Sequence, residues 1–275
     1  MDQAFYIHSI SPVAIQIGSF GIKWYSLAYF FGVIIGWQYC RMLLRKYSFA
    51  DYSKIKQTTP INNIIDDFLV WLILGIIAGG RIGYILFYNP YFYFNNPSEI
   101  FAIWHGGMSF HGGLIGVIIA AIVYSYKNKI KFFPFADLLA SVSPIGLFLG
   151  RIANFINGEL VGKITNVPWA VVFPKYDQSL RHPSQLYEAV LEGIILFVLL
   201  QILILKFGLL KKPGLISGIF LVGYSVSRLI IEYLREPDLH LGYLFNIISM
   251  GQLLTLPVLI CGIWIIQSAT RKEAA

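Results

Sequence analysis

From residue 24 onward, long apolar runs alternate with short charged ones, and seven of the runs are long enough to matter. They lie near 25–42, 68–88, 109–126, 136–156, 187–205, 215–234 and 246–267. A helix of about 20 apolar residues crosses a hydrocarbon core of about 30 Å. The pattern therefore predicts an all-α polytopic membrane protein with seven transmembrane helices. No Pro-, Ser- or Gly-rich linker and no low-complexity run interrupts it, so residues 1–275 are expected to form a single integral membrane domain. Two long connections, 89–108 and 157–186, fall on the same side, and ordered loops of that length usually carry function.

Composition removes the soluble alternative. Of the 275 residues, 57% are hydrophobic and 13% charged, too few to coat a soluble core. The 16% aromatic content suits residues that collect where bilayer meets water. Two cysteines, Cys40 and Cys261, exclude a disulfide scaffold. The N-terminal segment has neither a basic n-region nor a small-residue cleavage site, so no cleaved signal peptide is expected. Thirteen Lys and Arg follow helices one, three, five and seven, in the runs 41–56, 127–131, 206–212 and 271–272. The opposite side holds five: Lys23, Lys163, Lys175, Arg181 and Arg235. Positive charge stays inside, which puts the N-terminus outside (periplasmic) and the C-terminus in the cytoplasm. The net charge of +7 is then accounted for by anionic membrane lipids at the inner surface, with no nucleic acid required.

Three arginines interrupt the apolar runs: Arg81, Arg151 and Arg228. Each lies five to seven residues before the outer end of its helix, roughly 8–10 Å below the surface at about 1.5 Å per residue. Tyr25, His111, Glu188 and Glu192 descend to that level from the outer ends of helices one, three and five. Glu232 stands one turn past Arg228, as an ion-pair partner should, and Asn154 and Asn157 follow Arg151 on one stripe that ends at Gly158-Glu159. One such arginine would more often be structural, its tip reaching back to the headgroups. Three at one depth, with amides, carboxylates and a histidine beside them, point to a polar cavity facing the outer leaflet. Fixed guanidiniums there suit a phospholipid phosphate. His105, His111 and His182 lack metal-ligand spacing, so no metal is expected.

Three blocks are specific. They read Trp104-His105-Gly106-Gly107-Met108-Ser109-Phe110-His111-Gly112-Gly113, Gly150-Arg151-Ile152-Ala153-Asn154-Phe155-Ile156-Asn157-Gly158-Glu159, and Arg181-His182-Pro183-Ser184-Gln185-Leu186-Tyr187-Glu188. They resemble the signature blocks of the bacterial prolipoprotein diacylglyceryl transferases, and weaker similarity extends over nearly the whole chain. The resemblance implies a plasma (inner) membrane enzyme with its site toward the outer leaflet. Such an enzyme moves the diacylglyceryl group of phosphatidylglycerol onto the lipobox cysteine of a prolipoprotein and releases glycerol phosphate. It implies no cofactor. It places Arg151 on the phosphatidylglycerol-binding arginine and His111, Asn154, Glu159, Gly162, Tyr25, Tyr224 and Arg228 on residues important to the family.

The chemistry this asks for is attack of a substrate thiolate on a glyceryl carbon. A free thiol is mostly protonated at neutral pH, so a base is needed, and His111 is the candidate. The leaving phosphate ester needs fixed cations, supplied by Arg151 at the headgroup and by Arg228 for developing charge. Glu159 and Glu232 are expected to orient those guanidiniums, Asn157 to support them, and His182 to position the headgroup glycerol or the precursor backbone. Arg81 is expected to make a helix-to-helix or interfacial contact, its cation snorkelling to the headgroups so that lysine would serve there. A membrane lipid or anion transporter is the alternative, disfavoured because the polar groups stop at the outer half of the helices.

Overall fold

A computed structural model describes residues 5–18, 20–47, 61–236, 243–244 and 248–274. Lys54, Lys56 and residues 246–247, which the sequence reading used, lie outside the described residues. The chain opens with β1 (Tyr6–Ile7), β2 (Val13–Ile17) and β3 (Phe20–Lys23), then enters α1 (Trp24–Lys46) and α2 (Ile61–Tyr88). A short α3 (Pro90–Asn95) and two 3-10 turns, Pro97–Ile100 and Ile103–His105, fill the first long connection before α4 (Phe110–Lys127). After α5 (Phe132–Asn157) come β4 (Val171–Val172), β5 (Leu180–Arg181) and α6 (Ser184–Leu205). The chain continues with α7 (Leu215–Glu232), β6 (Tyr243–Leu244), β7 (Ile248–Ser249) and α8 (Met250–Ala274).

Each of the seven apolar stretches contains a helix, although Ile248–Ser249 at the start of the last is strand and the helix of the sixth ends at Glu232. Among the described residues six helices, α1, α2, α5, α6, α7 and α8, are long and apolar enough to cross a membrane, and α4 is a shorter apolar helix. Two helices outrun their apolar windows: α2 begins at Ile61, continuing back through the polar Asn62, Asn63, Asp66 and Asp67, and α5 begins at Phe132, ahead of Pro134 and Phe135. The fold is mostly helical, with short strands outside the helices: β1, β4 and β5 form a three-stranded sheet, and β2–β3 and β6–β7 pair antiparallel.

The described chain divides into two compact units, Cys40–Ala136 and the combination of Met1–Tyr39 with Asp137–Ala275. In the first, α2 and α4 touch through glycine. A methyl group added at Gly116 would lie 2.0 Å from the Gly75 carbonyl oxygen, and one at Gly79 would lie 2.4 Å from that of Gly112. Only glycine lets two backbones approach so closely. Beyond the glycines, Phe68, Tyr124 and Phe135 form an aromatic cluster, and the Tyr124 hydroxyl donates to the Ile64 carbonyl at 2.7 Å.

In the second unit a polar group does the work of a helix cap. Gly214 precedes α7 and has no side chain, so the first amides of that helix need an outside acceptor. Asp137, fully buried in the first turns of α5, supplies it: its carboxylate accepts from Gly214 N at 2.6 Å, Ser217 N at 2.7 Å and Ser217 Oγ at 2.6 Å. Gln201 links helices in the same way, accepting from the Tyr39 hydroxyl at 2.6 Å and donating to the Ser141 carbonyl at 2.9 Å. Within α6, residues Ala189–Ile195 wind as a wider π turn. Gly193 sits there because a methyl group would stand 2.7 Å from Phe148 Cβ of α5.

Candidate functional site

Three helices of the second unit bring six charged side chains together. α5 contributes Arg151, α6 contributes Glu188 and Glu192, and α7 contributes Arg228 and Glu232, with Arg235 just beyond its end. Glu188 is the centre. Its Oε2 lies 3.1 Å from Arg151 Nη1, while its Oε1 accepts from Arg228 Nη1 at 2.7 Å and stands 3.8 Å from Arg235 Nη1. Glu192 Oε2 accepts from Arg151 Nε at 3.1 Å and Nη2 at 2.9 Å. Glu232 Oε2 lies 2.9 Å from Arg228 Nη2, and its Oε1 accepts from Ser249 Oγ at 2.6 Å.

Neither Glu188 nor Glu192 has any exposed surface. Buried charges survive only when compensated, and three guanidiniums facing three carboxylates balance to zero. Glu188 stands just before the π turn of α6 and Glu192 lies within it, four residues further on. Among the described residues Glu192 Oε1 has no hydrogen-bond partner. The side chain of Arg151 is 14% exposed against 10% for Arg228.

A second polar group surrounds the end of α5. Asn154 and Asn157 donate to Glu159 Oε1 at 2.8 and 3.2 Å. This corrects one expectation, since Glu159 holds the two carboxamides and not a guanidinium; Glu232 does hold Arg228. Tyr25, in the first turn of α1, pairs its hydroxyl with that of Tyr29 at 3.2 Å, and Tyr29 lies in the field of Arg151 and Glu159. Tyr224 projects from α7 into the field of Arg151, Arg228, Glu188 and Glu192. Gly158 ends the helix in the left-handed region, at φ +69°.

The segment after α5 is fixed by backbone contacts. Gly162 N donates to the His182 carbonyl at 3.0 Å, and any side chain at Gly162 would meet that oxygen at 2.5 Å, so the glycine is required by close approach. Arg181 donates to Asp177, to Glu236 at 2.9 Å and to the Gly162 carbonyl at 2.9 Å. The Arg181 hydrogen bond holds the Asp177 carboxyl below its ordinary range. Trp169 Nε1 donates to the Tyr187 hydroxyl at 2.6 Å, which leaves the Tyr187 proton for His182 Nδ1 at 3.2 Å. Burial lowers the His182 pKa, keeping the ring neutral. His8 of the N-terminal segment packs edge-on against the Phe155 ring at 5.4 Å.

Arg81 and His111 belong to the other unit. His111 is in the first turn of α4; its side chain lies outside the described residues. Arg81 is 4% exposed and its guanidinium donates to the carbonyl oxygens of Glu99, Ile100, Ala102, Gly106 and Gly107. The snorkelling expectation is therefore corrected: the cation is turned into a loop, not toward headgroups. His105 pairs with the Glu99 carboxylate at 2.8 Å.

Sequence reasoning placed Glu188 and Glu192 on one helix face but did not give them Arg151, and it counted Arg235 as a loop charge. Two carboxylates at i and i+4 in an apolar helix were the available signal, because such a pair requires cations from elsewhere. Nothing local marks Arg235. Among the described residues no group of three or more His, Cys, Asp and Glu is arranged to hold a metal ion.

Residues 12–268 match the family model described as prolipoprotein diacylglyceryl transferase. Three similar proteins carry the name phosphatidylglycerol–prolipoprotein diacylglyceryl transferase. The one from Azospirillum brasilense is 49% identical over 97% of both chains. That from Allorhizobium ampelinum is 51% identical over 95% of this chain and 91% of its own, and that from Rickettsia bellii 49% identical over 94% and 95%. With the match running almost end to end, the chain belongs to the prolipoprotein diacylglyceryl transferase family.

Proposed function

We propose that this transferase moves the diacylglyceryl group of phosphatidylglycerol onto the thiol of a lipobox cysteine, making a thioether and releasing glycerol phosphate. The family match supports the reaction, and one observation supports the site: Glu188 holds Arg151 and Arg228 at a fixed separation. A phosphodiester seated there meets two pre-oriented guanidiniums and has no reorganisation cost when charge develops on the leaving oxygen. Because each guanidinium already faces a carboxylate, the phosphate engages their remaining edges, and Arg151 is the headgroup contact. Asn154 and Asn157, steadied by Glu159, are positioned for glycerol hydroxyls. Tyr25, Tyr224, Gly162 and His182 shape the surroundings, and His111 accepts the thiol proton. The sulfur then attacks the glyceryl carbon as its bond to phosphate oxygen breaks.

The same reading makes the chain one multi-pass domain of the inner membrane with seven spans, the N-terminus outside and the site toward the outer leaflet. The seventh span is α4, whose 18 residues make about 27 Å of helix. Cationic residues at or just beyond the C-terminal ends of α1, α4, α6 and α8 support the orientation. The test is incubation of purified protein with phosphatidylglycerol and a lipobox peptide, followed by mass spectrometry. A peptide heavier by one diacylglyceryl group is expected, with none when its cysteine is serine. Phospholipid moved between leaflets with an unmodified peptide would overturn the reading.

A further inference from the structure

The stretch between α3 and α4 is folded around one side chain. Arg81 Nε donates to the Ile100 carbonyl at 3.0 Å, Nη1 to the carbonyls of Gly106 and, at 3.1 Å, Gly107, and Nη2 to those of Glu99 and, at 3.2 Å, Ala102. Its planar face lies over the Tyr93 ring of α3, 5.0 Å from the centroid. Five carbonyl oxygens converge on one cation because the chain turns back on itself at Gly106 (φ +82°) and Gly107 (φ +80°). A side chain at Gly107 would strike Tyr84 at 2.6 Å and Arg81 Nη1 at 3.0 Å. The next residue over in α2 adds a second tie, the Gly80 carbonyl accepting from Ser109 N at 2.9 Å. Ser109 is the N-cap of α4, its hydroxyl accepting from Gly112 N at 3.2 Å. Between the last Arg81 contact at Gly107 and His111 there are three residues, and the middle one is tied to α2.

We propose that Arg81 is a positioning residue for diacylglyceryl transfer: by gathering these carbonyls it fixes where α4 begins, and with that where His111 stands. The inference rests on the reading of His111 as the base. Lysine cannot take the place of Arg81, because a single ammonium nitrogen with three donors does not reach five oxygens spread around a planar fork. A misplacement of about 1 Å at a reacting group costs on the order of 100-fold in rate, while ground-state lipid binding by Arg151 is untouched.

The test compares Arg81→Lys, Arg81→Ala and His111→Gln in nanodiscs at matched protein levels. It reads the turnover number, the KM for phosphatidylglycerol and amide hydrogen exchange. Arg81→Lys is expected to lose roughly 10- to 100-fold in turnover with KM nearly unchanged, and amides 99–111 to exchange faster while those of 137–232 do not. Millimolar methylguanidinium should restore turnover several-fold to Arg81→Ala and not at all to His111→Gln, a readout that general instability would not give. Normal turnover in Arg81→Lys beside an inactive His111→Gln would sink this inference alone. So would faster exchange throughout the chain, or a loss of turnover without rescue. Full turnover in His111→Gln would instead sink the base reading.

Discussion

Glu188 faces three cations, with one oxygen toward Arg151 and the other toward Arg228 and Arg235. Replacing it by glutamine keeps the shape and removes the charge that holds them together. Breaking a buried pair by losing one partner costs about 3–5 kcal/mol. Glu188→Gln should therefore lower the thermal unfolding temperature in detergent more than Glu192→Gln, whose carboxylate pairs with Arg151; equal shifts would contradict the central place of Glu188. At Arg151 and Arg228, lysine retains charge and loses the fork, so Arg151→Lys and Arg228→Lys should both be severely impaired in peptide lipidation. For Arg151→Lys a large part of the loss should appear in the KM for phosphatidylglycerol. The Arg228–Glu232 pair was legible in sequence because i, i+4 spacing on a helix is a local rule. The Arg151–Glu188 pair joins residues 37 positions apart on different helices, and no local periodicity encodes which carboxylate meets which guanidinium. Arg81 misled for a related reason: its own helix offered only glycine and aliphatic neighbours, and its partners are carbonyl oxygens, which every residue has.

Elements show a similar division. Hydropathy located every long helix because a bilayer imposes a length and a polarity, but the two-residue strands outside it are too short to show alternation. Nor could it show that α7 receives its cap from α5. Asp137→Ala should remove that acceptor from Gly214 and Ser217 and destabilise the protein by at least about 1 kcal/mol, measured by thermal unfolding, whereas Asp137→Asn, which keeps an oxygen, should lose less. At the other end of α5, His8 is held neutral. Burial is the main cause that lowers its pKa from 6.5, and Lys175 acts in the same direction. The unfolded chain binds the proton first, so stability is complete above about pH 6.5 and falls as pH drops from there through the folded pKa. Unfolding midpoints recorded between pH 7.5 and 5 should show that slope in the parent protein, and His8→Phe should flatten it.

At the scale of the whole molecule, orientation is open to direct measurement. In a background lacking Cys40 and Cys261, a cysteine at Tyr6 should react with a membrane-impermeant maleimide in intact spheroplasts, and one at Lys212 only after lysis; the opposite labelling would invert the topology. The family was legible because its blocks are contiguous in sequence, whereas the charge cluster is assembled from three helices and Arg235. That assembly bears on how the protein enters its membrane. Arg151 leaves the translocon on α5 before the glutamates of α6 exist, and Arg228 follows later on α7. An unpaired arginine or carboxylate at mid-helix costs roughly 2.5–3.5 kcal/mol to partition into lipid. The neutral sextet removes that cost only when all three helices are present. Helices α5, α6 and α7 are thus expected to wait at the translocon and pass into the bilayer as one body, and a nascent chain halted after α5 or α6 should remain crosslinkable to the channel until α7 emerges.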